Sequence, residues 1–446
     1  MVGNARGLSN ASLSVLLLSA VPFWTLAACS EDASDEVAGG AGAEAGGSTS
    51  SGAAPTGSGG STPVGAPTWA ADLAPLIYGE CVGCHRDGGV GPFPLETYQQ
   101  AAEISGILAS LVEERHMPPM PVDGSGQCNN YSNARWLSES EIGLFAAWNE
   151  AGAPAGDLSL APELPPPPPA LADPDLTLDA GEPYLPNADL VDDYRCFVID
   201  PGLTASKFIT AYEVQPGDER VVHHAIVYQP DSDEAAAEAV ALDEAEAGPG
   251  YTCFGGVGVS SEPSVLWAPG GGFVELPKET GVSLAAGRKL VLQVHYNVSH
   301  GAFPDQTKVK LALSDTVKFP ARYQPIADLD MQLEPGLSAA TTTRTFPALG
   351  QAITVHGVMP HMHTLGRELS VTAQADGAEQ CLVLVDRWDF HSQNAWWYTE
   401  ARSFDSVESV SISCTYDTTG RSEVVTWGEG TDDEMCLTYL YVTQPE

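Results

Sequence analysis

Arg220-Val221-Val222-His223-His224-Ala225-Ile226-Val227-Tyr228 and Lys289-Leu290-Val291-Leu292-Gln293-Val294-His295-Tyr296-Asn297-Val298 decide the class of this chain. Both are short, rich in β-branched and aromatic residues, and bounded by turn formers, which predicts strands. Ile353 to Val358 and Cys381 to Val385 read the same way. Many short strands separated by Gly, Pro and Asp predict β-sandwiches. Side chains alternate along a strand, so Gln293 and His295 share a face. His223 and His224 are adjacent and should diverge, so they can share a metal only at a strand end or bulge. His361-Met362-His363 sends both imidazoles the same way, a two-point chelate. Singly, each such histidine is most simply a hydrogen-bonded structural residue.

Working outward, this strand-rich block spans 176–446, and 158–175 precedes it as a Pro-rich linker. Pro165 to Pro169 are five consecutive prolines, which predicts a semi-rigid polyproline II spacer. Residues 68–157 are helical in pattern. Leu95 to Val112 carries apolar residues at three- and four-residue spacing. Ser138-Glu139-Ser140-Glu141 is a capping box opening a helix through Ile142, Leu144, Phe145 and Trp148, with Gly152 ending it. Residues 30–67 hold Ser, Gly, Ala and acids with no core, the composition of a disordered tether. Residues 1–29 read as a signal segment: Arg6, then the apolar run Leu13 to Ala20, then Leu26-Ala27-Ala28-Cys29. That last stretch resembles a bacterial lipobox and implies lipidation of Cys29; the plainer reading is an ordinary signal peptide. The expected location is the bacterial cell envelope, anchored to the membrane through lipid only, periplasmic or outer-membrane facing, the latter favoured by Ser30.

The 446 residues exceed one compact core, so several domains are expected. Nineteen basic against 59 acidic residues leave a net charge of −40, which repels phosphate backbones and excludes nucleic-acid binding.

Cys81-Val82-Gly83-Cys84-His85 is CxxCH, which in an exported chain reads as attachment of one haem c. Cys81 and Cys84 supply the thioethers and His85 an iron ligand. The rival, a redox dithiol, requires a βαβ setting that this block lacks. The second iron ligand is sought in Arg115-His116-Met117-Pro118-Pro119-Met120, which resembles the Met-Pro ligand loop of small cytochromes c; Met117 is favoured over Met120 and His116. A His/Met pair raises the haem potential and suits electron transfer.

Asp193-Tyr194-Arg195-Cys196, His223-His224, Leu292-Gln293-Val294-His295-Tyr296, His361-Met362-His363-Thr364-Leu365-Gly366-Arg367 and Asp433-Glu434-Met435-Cys436 follow in that order. Together they resemble the copper type II, ascorbate-dependent monooxygenases, the peptidylglycine α-hydroxylating and dopamine β-hydroxylating family, over about 185–446. The resemblance implies two copper ions. His223, His224 and His295 match the electron-transfer copper, with Gln293 beside it. His361, His363 and Met435 match the copper where oxygen and substrate react, with Tyr439 nearby. Imidazole suits both copper oxidation states and a thioether favours Cu(I). Each copper is expected on its own sandwich, 176–318 and 319–446, facing a solvent cleft. The fold class expected is therefore mainly β, two tandem jelly-roll-like sandwiches preceded by a small all-α cytochrome c domain. Cys414–Cys436 and Cys196–Cys253 match family disulfides, which leaves Cys128 and Cys381 either bridged across domains or as free thiols.

The resemblance further implies hydroxylation of a C–H bond of a small organic substrate with O2. Electrons come from an external donor, an ascorbate-like reductant or a redox protein, relayed by the fused haem across the proline spacer. Two departures weigh against known substrates. The Arg that clamps a peptide carboxylate is replaced by Met359 before Pro360, and the Asn after the Met-Cys pair is Leu437. No amine-binding carboxylate stands out. His300, His356 and His391 read as surface or supporting groups. The competing reading is a haem and copper electron-transfer or copper-binding lipoprotein without oxygenase activity.

Overall fold

A computed structural model describes residues 65–444, apart from 90, 120, 121, 255, 270, 300, 348–351, 391, 431 and 432. Cys29, Met120, His300 and His391 lie outside the described residues. No helix among the described residues is long and apolar enough to cross a membrane.

The first sandwich is built around a five-stranded antiparallel sheet. Its order is Tyr251–Thr252, Asp192–Ile199, Leu290–Asn297, Val222–Pro230 and Ser261–Trp267. Leu290–Asn297 is central and buried along almost its whole length, which explains its nearly continuous apolar run. The second sandwich has a four-stranded sheet in the order Ala340–Pro347, Val407–Tyr416, Gly366–Ala375 and Ala378–Val385.

Both pack against one shared sheet of nine strands. One wing of it includes Lys308–Ser314, Lys207–Gln215 and Thr280–Leu284; the other runs Phe319–Ala327, Leu437–Thr443, Ile353–His361 and Trp396–Phe404. The wings join through the parallel pairing of Phe319 with Thr280 and Ala321 with Val282. Strand alternation makes both faces of the latter wing apolar. Leu440 and Val442 enter the second core, whereas Tyr323, Met359 and Tyr441 enter the first. A helix unannounced by the strand pattern, Asp233–Ala245, lays Ala235, Ala236 and Ala239 against the first sandwich.

Residues 69–150 form a helical block: Trp69–Leu73, Ala74–Glu80, Tyr98–Glu103, Ser105–Glu113 and Glu139–Glu150. The capping box at Glu139–Glu150 forms as its sequence requires, with Ser138 Oγ accepting from Glu141 N and the Glu141 carboxylate accepting from Ser138 N. The helix buries Ile142, Phe145 and Trp148, each worth about 1.5–3 kcal/mol. Leu95 to Val112 is broken into two helices at Ile104, whose φ of −119° leaves the helical region.

The proline run is tied to this block. Arg86 donates to the carbonyls of Pro165 and Pro166 at 3.3 Å, folding the proline run back. A strap around residues 122–133 adds to the second sandwich, with Val122 bridging Val385 and Tyr131 bridging Tyr398. Cys128 pairs with Cys381 across 253 residues, which resolves the pair that the resemblance left open. Cys196–Cys253 and Cys414–Cys436 also form.

Candidate metal centre

Val222–Pro230 carries a bulge between Val222 and His224, where it pairs with Leu290–Asn297. The extra residue turns His223 toward the side of His224, the device that two vicinal imidazoles need to share a metal. His224 lies opposite His295. The Nδ1 atoms of His223 and His295 each stand 3.3 Å from His224 Nδ1, and the ligand atoms of all three lie within 4.8 Å of one another. Two nitrogens bound tetrahedrally at about 2.0 Å to one ion are separated by about 3.3 Å, so the trio fits a metal.

The surroundings fix which nitrogen is free. His295 Nε2–H donates to Asp192 Oδ1 at 2.9 Å, leaving Nδ1 as the donor to a metal. Tyr194 stacks on the His295 ring at 4.1 Å and 9°, and Phe390 on His223 at 4.7 Å and 22°. Burial holds the His223 and His224 imidazoles well below the usual range, as does the neighbouring His295. Burial also lowers His295, against the raising effect of Asp192. All three are therefore neutral at pH 7, the form that binds metal.

His361 closes the strand Ile353–His361, and His363 follows in the turn. His361 Nδ1–H donates to Gln393 Oε1 at 2.5 Å, and His363 Nδ1–H to the Asp433 carbonyl at 3.1 Å. Both Nε2 atoms are thereby left as donors to a metal. Burial holds His361 down to about 3, with His363 adding to it. Buried Met435 lines the same cavity as His361 and His363. The carboxylate of Glu434 ties the group together. It accepts from the backbone N–H of His363 (2.8 Å), Leu365 (2.6 Å) and Met435 (3.3 Å) while fully buried. Cys414–Cys436 anchors the strand start next to Met435, and Tyr416 donates to the Met435 carbonyl at 2.8 Å.

The two histidine groups approach each other closely, and His224, His361 and His363 line one cavity. His224 and His361 ring centroids are 6.2 Å apart, and Phe390 lies 6.3 Å from His363. The reason is the shared sheet, which packs the Met359 face of the second sandwich into the core of the first.

A cavity of about 180 Å³ opens beside them, walled by Tyr212, Ile226, Trp267, Met359, Leu437 and Met435 among others. An engineered apolar cavity of about 150 Å³ holds a benzene ring, so this one accommodates a substituted ring or its equivalent. Tyr439 lines it and hydrogen-bonds Tyr228; burial pushes the Tyr439 phenol up to about 12. Glu429 also lines it, a carboxylate that the sequence reading did not single out. Gln293 is buried and donates to the Cys253 carbonyl at 3.4 Å, bracing the disulfide loop.

A second cavity of about 650 Å³ is walled by Cys81, Cys84, His85, Leu108, Phe145 and Met117, with further walls from both sandwiches. Among the described residues, these are the two cysteines outside disulfides. Burial pushes the Cys81 thiol up to about 12, the opposite of an activated redox dithiol. His85 Nδ1–H donates to the Phe93 carbonyl at 3.0 Å, so Nε2 is its free donor. Arg135 lines this cavity and suits a carboxylate-bearing guest. The donor set and volume fit a haem. His116 is exposed beside Glu114 and is not part of the wall. His356 lies elsewhere, its Nε2 2.9 Å from Thr443 Oγ1.

Asp192, Phe390, Gln393 and Glu434 were not assigned roles from sequence. Asp192 and Tyr194 alternate onto one face, a readable signal once the strand is placed; Gln393 sits in a loop and carried none.

Two family models match: "Copper type II ascorbate-dependent monooxygenase, N-terminal domain" over residues 181–302, and the C-terminal domain of the same family over 330–445, together a little over half of the chain. Dopamine beta-hydroxylase of Rattus norvegicus is 24% identical over 388 residues, 79% of this chain and 60% of that protein. DBH-like monooxygenase protein 1 of Gallus gallus is 26% identical over 260 residues, 51% of this chain and 40% of that protein. Tyramine beta-hydroxylase of Caenorhabditis briggsae is 23% identical over 248 residues, 51% of this chain and 40% of that protein. The chain spans 40% to 60% of the length of these curated relatives. With both domain models matched in order, the chain belongs to the copper type II ascorbate-dependent monooxygenase family.

Proposed function

We propose that the protein is a copper-dependent monooxygenase that hydroxylates a C–H bond of a small, largely apolar organic molecule. One oxygen atom of O2 enters the product and the other leaves as water, consuming two electrons and two protons. The observation that carries this is the convergence of His361, His363 and Met435 on an apolar cavity beside a second, all-imidazole cluster. Bound copper supplies the redox chemistry with O2, as in the family. The chain's own residues prepare for it. Gln393 and the Asp433 carbonyl hold two imidazoles with Nε2 available, and Glu434 fixes the turn that carries them. Asp192 does the same for His295 in the cluster that would hold the electron-transfer copper. The wall is mostly apolar, which favours an apolar guest, and Tyr439 and Glu429 are among the polar groups that line it.

The larger cavity supports a haem c held by Cys81 and Cys84 as thioethers, with His85 and Met117 as iron ligands, relaying electrons from an external donor. Ascorbate or a redox protein is the proposed donor. Lipidation at Cys29 and a lipid-anchored place in the bacterial cell envelope, periplasmic or outer-membrane facing, complete this reading.

Copper-loaded protein supplied with 18O2, a reductant and a panel of small aromatic and aliphatic compounds tests the reaction. One labelled oxygen per product molecule is expected. Two bound coppers without any labelled product from that panel would instead favour a copper-binding electron-transfer protein.

A further inference from the structure

The cavity of about 650 Å³ at Cys81, Cys84 and His85 is closed by the sandwiches, and one short segment supplies much of that wall. Ser392, Asn394, Ala395, Trp396 and Trp397 all line it. Asn394 and Ala395 also line the cavity beside Met435, as do Gly271 and Val274 of the first sandwich. The two cavities thus share a partition one residue layer thick. Gln393, inside that partition, is buried and accepts from His361 Nδ1–H at 2.5 Å. Its Nε2 donates to the Phe390 carbonyl at 2.7 Å.

The helical block is locked onto this same segment. Ser132 N donates to the Trp397 carbonyl at 2.8 Å and Asn133 Nδ2 to the Ala395 carbonyl at 2.7 Å; Trp397 N donates to Asn133 Oδ1 at 3.0 Å. Ser392 Oγ donates to the Pro119 carbonyl at 3.2 Å, two residues beyond Met117. The Cys128–Cys381 bridge makes the strap covalent. A domain that swung on a flexible linker would have no use for this set of bonds.

We propose that the segment 392–397 is the path by which reducing equivalents pass from the Cys81/Cys84/His85 cavity into the copper centre, with Gln393 the positioning residue that joins this path to His361. The proposal rests on the reading of both cavities given above. The step is a single electron transfer: one electron leaves a ferrous haem and converts one cupric ion to cuprous, with no bond broken and no proton moved. An external small-molecule reductant or redox protein restores the ferrous state. The path leads to the thioether-containing site, whose imidazole shares a hydrogen bond with the partition. A branch toward the three-imidazole cluster would run through Phe390, whose carbonyl accepts from Gln393 and whose ring stacks on His223, outside the segment 392–397.

The test uses full-length protein carrying haem and two cupric ions. A flash-generated one-electron reductant reduces the haem, and its reoxidation is followed in the α-band, with freeze-quenched EPR counting the cupric signal. A copper-dependent reoxidation phase is expected. Gln393→Ala slows it about tenfold or more, whereas Gln393→Glu, which keeps an acceptor for His361 Nδ1–H, restores it. Haem absorption stays unchanged in both, and each variant is loaded with copper until two cupric ions are bound, so that weakened affinity at His361 is not read as slowed transfer. An unchanged rate in Gln393→Ala overturns the proposal, as does slowing confined to Phe390→Leu. A chain matured with no covalent haem overturns it together with the haem reading. Oxygenation is assayed separately with ascorbate as a direct reductant of copper. Intact internal electron transfer without labelled product defeats the hydroxylase reading and leaves this proposal standing.

Discussion

Asp192→Ala is expected to weaken copper binding at the three-imidazole cluster by about 100-fold and to affect the thioether site far less, because the carboxylate hydrogen-bonds His295 and acts on His363 only through space. Asp192 Oδ1 stands 2.9 Å from Nε2 of His295, a residue only 2% exposed. Water has little access to replace the lost acceptor. The bond keeps the proton on Nε2 and makes Nδ1 more basic; without it the ring is free to take the other tautomer, which blocks the metal. A charge-assisted hydrogen bond contributes about 1.5–3 kcal/mol, or roughly one to two decades of affinity. The burial of His295 places the alanine variant at the upper end. Asp192→Asn keeps an oxygen acceptor without the charge and should cost only about tenfold. The assay is copper competition against a calibrated chelator, with EPR separating the two cupric sites and the 18O2 reaction run in parallel. Equal weakening of both sites, or Asp192→Ala within about twofold of the parent, would refute the assignment of Asp192 to His295 alone.

Three further outcomes follow from the same geometry. A Cβ on Gly366 would stand 2.7 Å from Trp388 Cδ1 and 2.9 Å from Met362 Cβ, and Trp388 Nε1 donates to the His363 carbonyl. Gly366→Ala should therefore cost about 1–3 kcal/mol in denaturant melts and disturb copper at His363; an unchanged midpoint would contradict this packing. Cys128→Ser with Cys381→Ser should destabilise the docking of the helical block by about 2–5 kcal/mol, seen as an early transition before the sandwiches melt, and a single unshifted transition would count against the strap. Metal-free protein should lose stability as pH falls below about 6.5. His295 and His363 are buried with depressed folded values, so the unfolded chain alone takes up their protons, each costing about 1.4 kcal/mol per pH unit. Glu434, pushed up to about 7 by burial, acts in the opposite direction but is one group against at least two. A denaturation midpoint that rises between pH 6.5 and 5 would reverse that sign.

The metal-binding pattern was largely legible because its signals are local. His361-Met362-His363 needs only strand alternation, and the adjacent pair His223-His224 announced the bulge that the structure contains. Met435 emerged only from its place in an ordered set of motifs. Gln393 and Phe390 were illegible, since they reach the site through a loop whose position depends on the packing of Trp396–Phe404. The closeness of His224 and His361 was also hidden. It depends on Thr280–Leu284 pairing in parallel with Phe319–Ala327, a register decided by two-sided burial and not by either strand alone. The direction of the proline run was not legible, because its stiffness is local, whereas Arg86 bonds to it from a distant part of the chain.

The continuous sheet beneath the two sandwiches has a mechanical consequence. Halves that share backbone hydrogen bonds and a common apolar face behave as one stiff plate, so prising them apart would tear strand pairing instead of bending a linker. A guest molecule must then enter past the side chains that line the cavity, Trp427 and Glu429 among them, and not by a parting of the two halves.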